Sequence, residues 1–312
     1  GKKGLRQLDR TGKLAASAVA LALESSGLDA EFREANEIAL VLGTNFCSAG
    51  TIAAFDQRGL EQGPGAVSPL DFANTVINAA AGQVAIRYRL RGTNSTTAGG
   101  CCAGLKALGY GHELVAGKRE QWALAGGAEE LAEVVYNAYD KSPYMGKDGF
   151  FLSEGAAFVL LTPRAQENQP VLGQILDHAS RAFYSDADVD LAASAVESFL
   201  RDNGLQPGDI GLVCLSAAGY TPVDTMEQEI LNRMFSPETT CFQPKYWLGE
   251  GLGVSGPLQL LLSLEVLKQG LMPRPDADPL ALESTSKIIL LMGLNPDGLF
   301  DMLLASADTD DA

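Results

Sequence analysis

The chain has 312 residues, of which 46% are hydrophobic, and its formal net charge is −16 at pH 7. This length and apolar fraction suit one large domain or two closely packed ones. The acidic balance opposes generic binding to nucleic acid, and no apolar run approaches the roughly 20 residues of a membrane span. The five scattered cysteines match neither a disulfide framework nor a zinc site. We therefore expect a cytoplasmic protein that binds neither nucleic acid nor membrane.

Helices and strands alternate along the first half of the chain. Gly12–Ser26 carries apolar residues at helical spacing and Gly27 follows it, as is typical of a helix end. The short apolar run Ile38–Thr44 predicts a buried strand. A further helix is predicted to begin at Ser68–Pro69, because proline suits the first helical position. The remaining strands predicted in this half are Ser95–Ala98, Gln121–Ala125 and Gly155–Thr162.

The second half of the chain repeats this pattern. The segment "LAASAVALALESSGL" (Leu14–Leu28) matches "LAASAVESFLRDNGL" (Leu191–Leu205), with six identical residues in a row. Each copy is followed by a strand candidate, and the second of these is "IGLVCLS" (Ile210–Ser216). A second pair of similar helices is predicted at Ala103–Lys118 and Ser255–Gly270.

Chance likeness between short Ala- and Leu-rich helices is the alternative to a duplication. A match that continues in order through strand and helix favours the duplication. We predict two related α/β halves, residues 1–165 and 166–312, which meet at the polar, proline-bounded segment "PRAQENQP".

Two adjacent cysteines follow a pair of glycines in "GTNSTTAGGCCAGLKAL" (Gly92–Leu108). The segment reads as a strand, a glycine turn and then a helix, so Cys101 or Cys102 would lie at a helix N-terminus. The positive field there lowers the pKa of a thiol, and backbone amides nearby suit an oxyanion. Small buried cysteines also pack inertly in protein cores. The residues alone leave both interpretations open.

Several motifs resemble those of the β-ketoacyl synthase (condensing enzyme) family, which has the thiolase-like fold. They are "SPLDFANTVINAAAGQVAIRYRLRG" (Ser68–Gly92), "CCAGLKAL" and "FLSEGAAFVLL" (Phe151–Leu161), and the likeness covers most of the chain. The resemblance implies an α/β protein with αβαβα layers built from two related halves. It also implies that Cys101 is the nucleophile, because the spacing from Cys101 to "AGGAEE" (Ala125–Glu130) then fits the family without a gap.

The chain departs from the family at the positions of both catalytic histidines. Ala218 and Tyr220 stand where the family has the histidine and threonine of a His-Gly-Thr segment. Lys245 matches the family's active-site lysine, and Glu250 occupies the place of the second histidine. Glu250 would repel a developing enolate if ionised, and would donate a hydrogen bond or shuttle a proton if protonated.

Three further departures concern the gate, the histidines and the N-terminal strand. The family's glycine-rich gate is replaced by "GLNPDG" (Gly293–Gly298). The two histidines of the chain, His112 and His178, match no catalytic position and are expected to be structural. The family's usual first strand has no counterpart ahead of "LRQLDR" (Leu5–Arg10).

Three functions remain open at this point. In the first, Cys101 carries an acyl group from acyl-carrier protein or acyl-coenzyme A, with Glu250 and Lys245 as further catalytic residues, in fatty-acid or polyketide-type biosynthesis. In the second, the chain is a non-catalytic partner of an active ketosynthase, like a chain-length factor. In the third, it is a binding module that keeps only the fold. No cofactor or metal is implied.

The resemblance also implies a dimer. Family members pair through the strand before the active-site cysteine, here Asn94–Ala98, and the partner would be a second copy or an active ketosynthase. Arg87, Arg89 and Arg91 alternate just before this strand. If that segment is extended, the three side chains share one face and could contact an acidic carrier or a phosphate. Ion pairs at a solvated edge are the alternative.

Overall fold

The computed structural model describes residues 8–142, 150–164, 171–183, 189–274 and 277–308. None of the helices in these ranges combines the length and apolar character needed to cross a membrane. The helices are α1 (Arg10–Ser25), α2 (Ala30–Ala35), α3 (Ala49–Gln62), α4 (Pro69–Phe72), α5 (Ala79–Tyr88), α6 (Ala103–Ala116), α7 (Glu133–Asp140), α8 (Val189–Asp202), α9 (Thr221–Met234), α10 (Lys245–Leu248) and α11 (Ser255–Gln269).

The strands form two main sheets and one short hairpin. The strands are β1 (Ala39–Gly43), β2 (Asn94–Thr97), β3 (Ala123–Glu129), β4 (Gly155–Leu161), β5 (Gln174–Ala182), β6 (Leu212–Cys214), β7 (Cys241–Phe242), β8 (Leu271–Arg274), β9 (Ala277–Ala281), β10 (Ile288–Leu294) and β11 (Leu299–Ser306). The strand order is β2–β1–β3–β4 in the first sheet and β5–β11–β10–β6–β7 in the second, while β8 pairs with β9.

The two main sheets repeat one topology. In the first, β1 pairs in parallel with β2 and β3, and β4 is antiparallel to β3. In the second, β6 pairs in parallel with β7 and β10, and β11 is antiparallel to β10. Strand β5 extends the second sheet beyond β11 and has no counterpart among the described strands of the first. The duplicated sequence therefore produces a duplicated sheet.

Alternate side chains of the strands enter different layers. In β1, Val41 packs into the central apolar cluster with Leu105 of α6 and Leu260 of α11, whereas Leu40 packs against α1 and α5 on the outer face. In the second sheet, Leu290 of β10 faces outward into the cluster that α8 and α9 cover. Helices α6 and α11 thus lie between two sheets that each carry outer helices, which confirms the predicted αβαβα layers. Strands buried on both faces read as continuous apolar runs for this reason.

The structure corrects two details of the local predictions. The strand predicted at Gln121–Ala125 begins at Ala123 and continues through Gly126 and Gly127 to Glu129. The arginine segment is not extended, because α5 runs to Tyr88 and Arg89 ends it in the left-handed conformation. Arg89 contacts the Glu34 side chain and Arg91 contacts the Glu34 backbone carbonyl, so the shared basic face does not form and the alternative of ion pairs at a solvated edge applies.

The halves meet at a close backbone contact. A Cβ atom on Gly127 of β3 would overlap with the carbonyl oxygen of Gly253, which precedes α11. The absence of a side chain at Gly127 therefore permits contact between backbones across the two halves. The predicted boundary between residues 165 and 166 lies within residues 165–170, outside the described residues, and stays a prediction.

Candidate active site

Cys101 lies at the end of a glycine turn that leads from β2 into α6. Gly99 and Gly100 have φ angles of 151° and 57°, which a residue with a side chain rarely adopts. The turn places the Cys101 thiol at the N-terminal end of α6, with 6% of the residue exposed. The helix dipole favours negative charge at this position.

Cys102 is set apart from Cys101 by its burial. It has no exposed surface, and contact with the Cys101 thiol together with burial raises the pKa of Cys102. Cys101 lines the pocket described below, whereas Cys102 does not. Of the two adjacent thiols, the geometry therefore assigns the candidate nucleophile to Cys101.

Asn295 holds the Cys101 turn from the other half of the chain. Its Oδ1 accepts a hydrogen bond from the Cys101 N–H at 2.9 Å and one from the Cys101 thiol at 2.8 Å. Its Nδ2 donates to the carbonyl oxygen of Gly99, also at 2.9 Å. Asn295 is buried at the start of the β10–β11 turn, where its N–H donates to the Leu299 carbonyl.

A buried ion pair lies next to this turn. Lys245 Nζ donates to Glu250 Oε2 at 2.8 Å, and the two side chains are 2% and 8% exposed. Burial is the largest influence and lowers the pKa of Lys245, but the acidic groups around it, Glu250 first and then Cys101 and Glu227, together outweigh burial, and the net effect is a raised pKa. Lys245 is therefore a cation inside the protein.

Ser216 connects Lys245 with Cys101. Lys245 Nζ donates to Ser216 Oγ at 3.1 Å, and Ser216 Oγ lies 3.7 Å from Cys101 Sγ. The Ser216 hydroxyl also lies 3.5 Å from the Leu294 carbonyl oxygen. A hydroxyl that accepts from an ammonium group becomes a better donor towards negative charge at its other side.

The Glu250 carboxylate is fully engaged as an acceptor. Besides Lys245, the backbone N–H of Leu252 and the hydroxyl of Ser255 donate to Oε1, each at 2.7 Å. Leu252 has a φ of 50°, which costs free energy for a branched residue, so the Glu250 contact is held by a strained backbone. Three donors therefore fix the position of this carboxylate.

A small pocket opens in front of Cys101. Its volume is about 50 Å³, and a water molecule needs about 10–15 Å³ by the same measure. Neither histidine of the chain lines it. The lining residues are Cys101, Tyr139, Phe150, Ser216, Ala218, Tyr220, Val223, Asp224, Glu250, Leu294, Asn295 and Pro296.

Glu227 is a second buried carboxyl group behind the pocket. Its Oε1 accepts the Ser216 N–H at 2.6 Å, and its Oε2 has no hydrogen-bond partner among the described residues. Burial raises the pKa of Glu227 to about 8. Glu227 is therefore mostly protonated at neutral pH.

The histidines are placed elsewhere. His178 lies in β5, where its Nε2 is 2.9 Å from Oδ1 of the buried Asp301. His112 lies in α6, and burial lowers its pKa. Ala218, at the first histidine position of the family, lines the pocket with a methyl group and has only its backbone N–H bonded, to Asp224.

The structure brings the three predicted site residues Cys101, Lys245 and Glu250 into one cluster. Sequence reasoning missed Ser216, which connects Lys245 with Cys101, and Asn295, which forms hydrogen bonds with Cys101. Ser216 precedes the "AAGY" segment, and Asn295 lies inside "GLNPDG". In the sequence, both motifs were notable only because they lack residues that the family has at those positions.

Two family models match nearly all of the described chain. "Beta-ketoacyl synthase, N-terminal domain" matches residues 1–167, and "Beta-ketoacyl synthase, C-terminal domain" matches residues 171–275. The chain belongs to the β-ketoacyl synthase family. This confirms the resemblance carried by the motifs around Cys101, and the departures at Ala218 and Glu250 mark the chain as a divergent member.

Individual family members are distant in sequence and close in fold. The 3-oxoacyl-[acyl-carrier-protein] synthase 2 of Coxiella burnetii is 23% identical over 306 residues, which cover 87% of this chain and 72% of that protein. The ishigamide ketosynthase/chain length factor superimposes with a TM-score of 0.86 at 18% identity, covering 98% of this chain and 84% of that one. A type II polyketide synthase acyl-carrier protein in complex with its ketosynthase gives a TM-score of 0.79 at 19% identity, covering 97% and 85%.

Proposed function

We propose that the protein performs acyl transfer of the β-ketoacyl synthase type in fatty-acid or polyketide-type biosynthesis, with the acyl group held as a thioester on Cys101. One observation carries this proposal. The Cys101 thiol lies at the N-terminal end of α6, in a pocket, and Ser216 connects it with the buried Lys245 cation. A binding module that keeps only the fold has no need of this arrangement.

The transfer step exchanges one thioester for another. The Cys101 sulfur attacks the carbonyl carbon of an acyl thioester on a carrier protein or coenzyme A, and a new carbon–sulfur bond forms. The old carbon–sulfur bond breaks, and the carrier thiol leaves with the proton that Cys101 has lost. Atoms and electrons balance without a cofactor.

We propose that Lys245 and Ser216 stabilise negative charge in this step. Lys245 polarises the Ser216 hydroxyl, which faces the pocket beside Cys101. Glu250 remains a candidate acid or base, and its three acceptor contacts favour a role in fixing Lys245.

Decarboxylative condensation is not part of the proposal. It needs donors to the oxygen on which negative charge develops, and each missing donor of that kind costs about 2.7–4 kcal/mol. Ala218 offers no side-chain donor at one family histidine position. At the other, Glu250 presents a carboxylate that is ion-paired with Lys245.

A second candidate function is that of a non-catalytic partner subunit of an active ketosynthase. The observation that favours it is the Asn295 side chain on the Cys101 N–H, where an acyl oxygen would otherwise bind. A structural neighbour named as a ketosynthase/chain length factor supports the same reading.

For either function we propose a dimer formed along β2. Among the described strands β2 pairs only with β1, so its outer edge is available for a second subunit. Helix α5 packs against β2 and carries Ile86, which is 81% exposed. Exposed apolar side chains of this size favour a protein interface. The partner is a second copy in the catalytic case and an active ketosynthase in the other.

The deciding experiment is intact-mass analysis of the protein after incubation with a panel of acyl-carrier-protein and acyl-coenzyme A thioesters, beside Cys101→Ala. A mass increase equal to the acyl group, lost in Cys101→Ala and retained in Cys102→Ala, would establish the acyl-enzyme. No adduct with any donor would favour the partner-subunit function, which co-purification with a ketosynthase would then test.

We also propose a cytoplasmic location, because a thiol nucleophile has to stay reduced.

A further inference from the structure

The amide oxygen of Asn295 accepts two hydrogen bonds from one residue. The Cys101 N–H and the Cys101 thiol both donate to it, at 2.9 Å and 2.8 Å. The orientation of the amide follows from its other end, where Nδ2 donates to the Gly99 carbonyl at 2.9 Å. A flipped amide would set Nδ2 against the Cys101 N–H and Oδ1 against the Gly99 oxygen, and both contacts would become repulsive.

The contact with the thiol depends on the thiol proton. A neutral thiol donates to Oδ1 at 2.8 Å, with the Leu294 carbonyl oxygen as a second, longer acceptor at 3.3 Å. A thiolate would face these partially negative oxygens in a poorly hydrated site. The amide cannot rotate to offer its Nδ2 to the thiolate without losing Gly99. Asn295 therefore stabilises the neutral form of Cys101 relative to the anion.

The contact with the N–H occupies a second position of chemical importance. A backbone N–H at the start of a helix attracts an oxygen that carries negative charge. Here the oxygen of Asn295 lies on the Cys101 N–H, and the packing is tight enough that a Cβ on Gly100 would collide with the same amide. An acyl group on Cys101 would need this position for its own carbonyl oxygen.

We propose that Asn295 is a positioning residue that holds Cys101 as the neutral thiol and occupies the N–H position that the oxygen of a bound acyl group would take. The part that concerns the acyl oxygen rests on the proposed function. The part that concerns the thiol stands on the hydrogen bonds alone. Acylation of Cys101 then requires Asn295 to move away from the turn.

Other groups act on the same thiol and have to be separated from Asn295. The titratable side chains on the neighbouring elements are Cys102, Lys106, Tyr139, Tyr220, Asp224, Lys245, Glu250 and Asp301. Glu227 lies behind Ser216. Lys245 favours a thiolate, and its charge is largely balanced by Glu250. All of these remain unchanged when only residue 295 is varied.

The test compares the alkylation rate of Cys101 by iodoacetamide across the neutral and alkaline pH range, measured by peptide mapping. The variants are Asn295→Ala and Asn295→Asp, and the matched control is Asp297→Asn in the same turn, where Asp297 is exposed. Cys241, an exposed thiol, is an internal reference within each protein.

In Asn295→Ala we expect Cys101 to react about three- to tenfold faster near neutral pH, the effect of one lost hydrogen bond, with its rate profile moved to lower pH. Asn295→Asp retains an acceptor oxygen and adds negative charge, so it should react no faster than the unmodified protein. Asp297→Asn and Cys241 should show no change. A purely structural role would accelerate Cys101 equally in Asn295→Ala and Asn295→Asp, and that result would overturn the proposal, as would unchanged rates in both.

A measurement on the unmodified protein covers the case in which the Asn295 variants do not fold. The infrared S–H band of Cys101, obtained by difference against Cys101→Ala, should lie at lower wavenumber than that of a small thiol in an apolar solvent, because a thiol that donates a hydrogen bond has a weakened S–H bond. A band at the position of a free thiol would contradict the proposal.

The acylation assay keeps this inference separate from the proposed function. Faster acylation of Asn295→Ala than of the unmodified protein supports both parts. Faster alkylation without any acyl adduct keeps the thiol assignment and removes the acyl-oxygen assignment together with the proposed function. Equal alkylation with normal acylation overturns the inference and leaves the function in place.

Discussion

Lys245 and Glu250 form an ion pair inside the protein, with 2.8 Å between Nζ and Oε2 and almost no solvent exposure. Each charge compensates the other in a region from which water is excluded. Removal of one partner leaves an uncompensated buried charge or an unfilled space, and such changes are strongly destabilising. Loss of the pair should therefore lower the stability of the fold, in addition to removing its proposed role beside Cys101.

We expect Lys245→Met and Glu250→Gln each to lower the free energy of unfolding by about 3–5 kcal/mol. The double variant should lose less than the sum of the two, because the second change no longer breaks a contact. Urea unfolding of the four proteins measures this coupling. The control is the exposed pair of Arg58 and Asp71, 3.4 Å apart and each 42% exposed, for which Arg58→Ala should cost under about 1 kcal/mol. Additive effects of the buried pair would contradict this expectation.

Gly100→Ala tests the close packing of the active-site turn. Alanine in the left-handed conformation costs about 1–2 kcal/mol, and at position 100 its Cβ would also collide with Asn295. Gly27→Ala is the matched control, because Gly27 has a φ of 67° and nothing lies within 4 Å of its virtual Cβ. Gly100→Ala should cost about 1–3 kcal/mol more than Gly27→Ala in urea unfolding.

The collision part of that cost should disappear when the Asn295 side chain is shortened. Gly100→Ala combined with Asn295→Ala should therefore bring the cost at position 100 close to that of Gly27→Ala. Equal costs for Gly100→Ala and Gly27→Ala would show that the turn is loosely packed.

Glu227 should make stability depend on pH. Burial raises its pKa from an ordinary value near 4.5 to about 8 in the folded protein. Between these two values the folded state retains a proton that the unfolded state releases, so stability is full below about pH 4.5 and falls as pH rises to about 8. The slope contributed by one such proton is about 1.4 kcal/mol per pH unit.

Glu227→Gln removes this titration and keeps an acceptor for the Ser216 N–H. Unfolding free energies measured across this pH range should therefore fall less steeply in Glu227→Gln than in the unmodified protein. Glu229→Gln, on the same helix with its side chain 48% exposed, is the control and should leave the slope unchanged. Parallel curves for Glu227→Gln and the unmodified protein would rule out the buried proton.

The proposed dimer predicts a change of molar mass on substitution of Ile86. A carboxylate on this exposed position of α5 would be buried against the partner, so Ile86→Asp should convert a dimer to a monomer in light scattering after size exclusion. Leu280→Asp, on β9 and 52% exposed, should not. A monomer in the unmodified protein would leave only a heteromeric partner for this surface.

The sequence predicts those parts of the molecule that rest on local pattern and repetition. The duplicated helix and strand segments around Leu14 and Leu191 led to two similar sheets, and apolar runs such as Ile38–Thr44 led to strands buried on both faces. Family motifs predicted three site residues, and the structure brings all three together: Cys101, Lys245 and Glu250.

The parts that the sequence did not predict depend on contacts between distant residues. Asn295 and Cys101 are separated by 194 positions, and no local signal announces their hydrogen bonds. The predicted strand Gln121–Ala125 stopped before Gly126 and Gly127, and glycine has a low strand propensity. Both glycines are required in β3, because the carbonyl of Ala157 leaves no room for a side chain at Gly126 and that of Gly253 leaves none at Gly127. The conformation of the arginine segment was also not predictable, because Arg89 ends α5 in a left-handed conformation and the segment does not form an extended strand.

The backbone contact between Gly127 and Gly253 also limits how this molecule can be altered. A side chain at Gly127 or Gly253 would fit only if the backbone of the other half moved away. A substitution in one half therefore requires a compensating change in the other. Recombination between family members at the segment 165–170 would join halves whose interior surfaces were selected separately. The same restriction applies where Asn295 meets the Cys101 turn, because a Cβ on Gly100 would collide with the Asn295 amide of the other half.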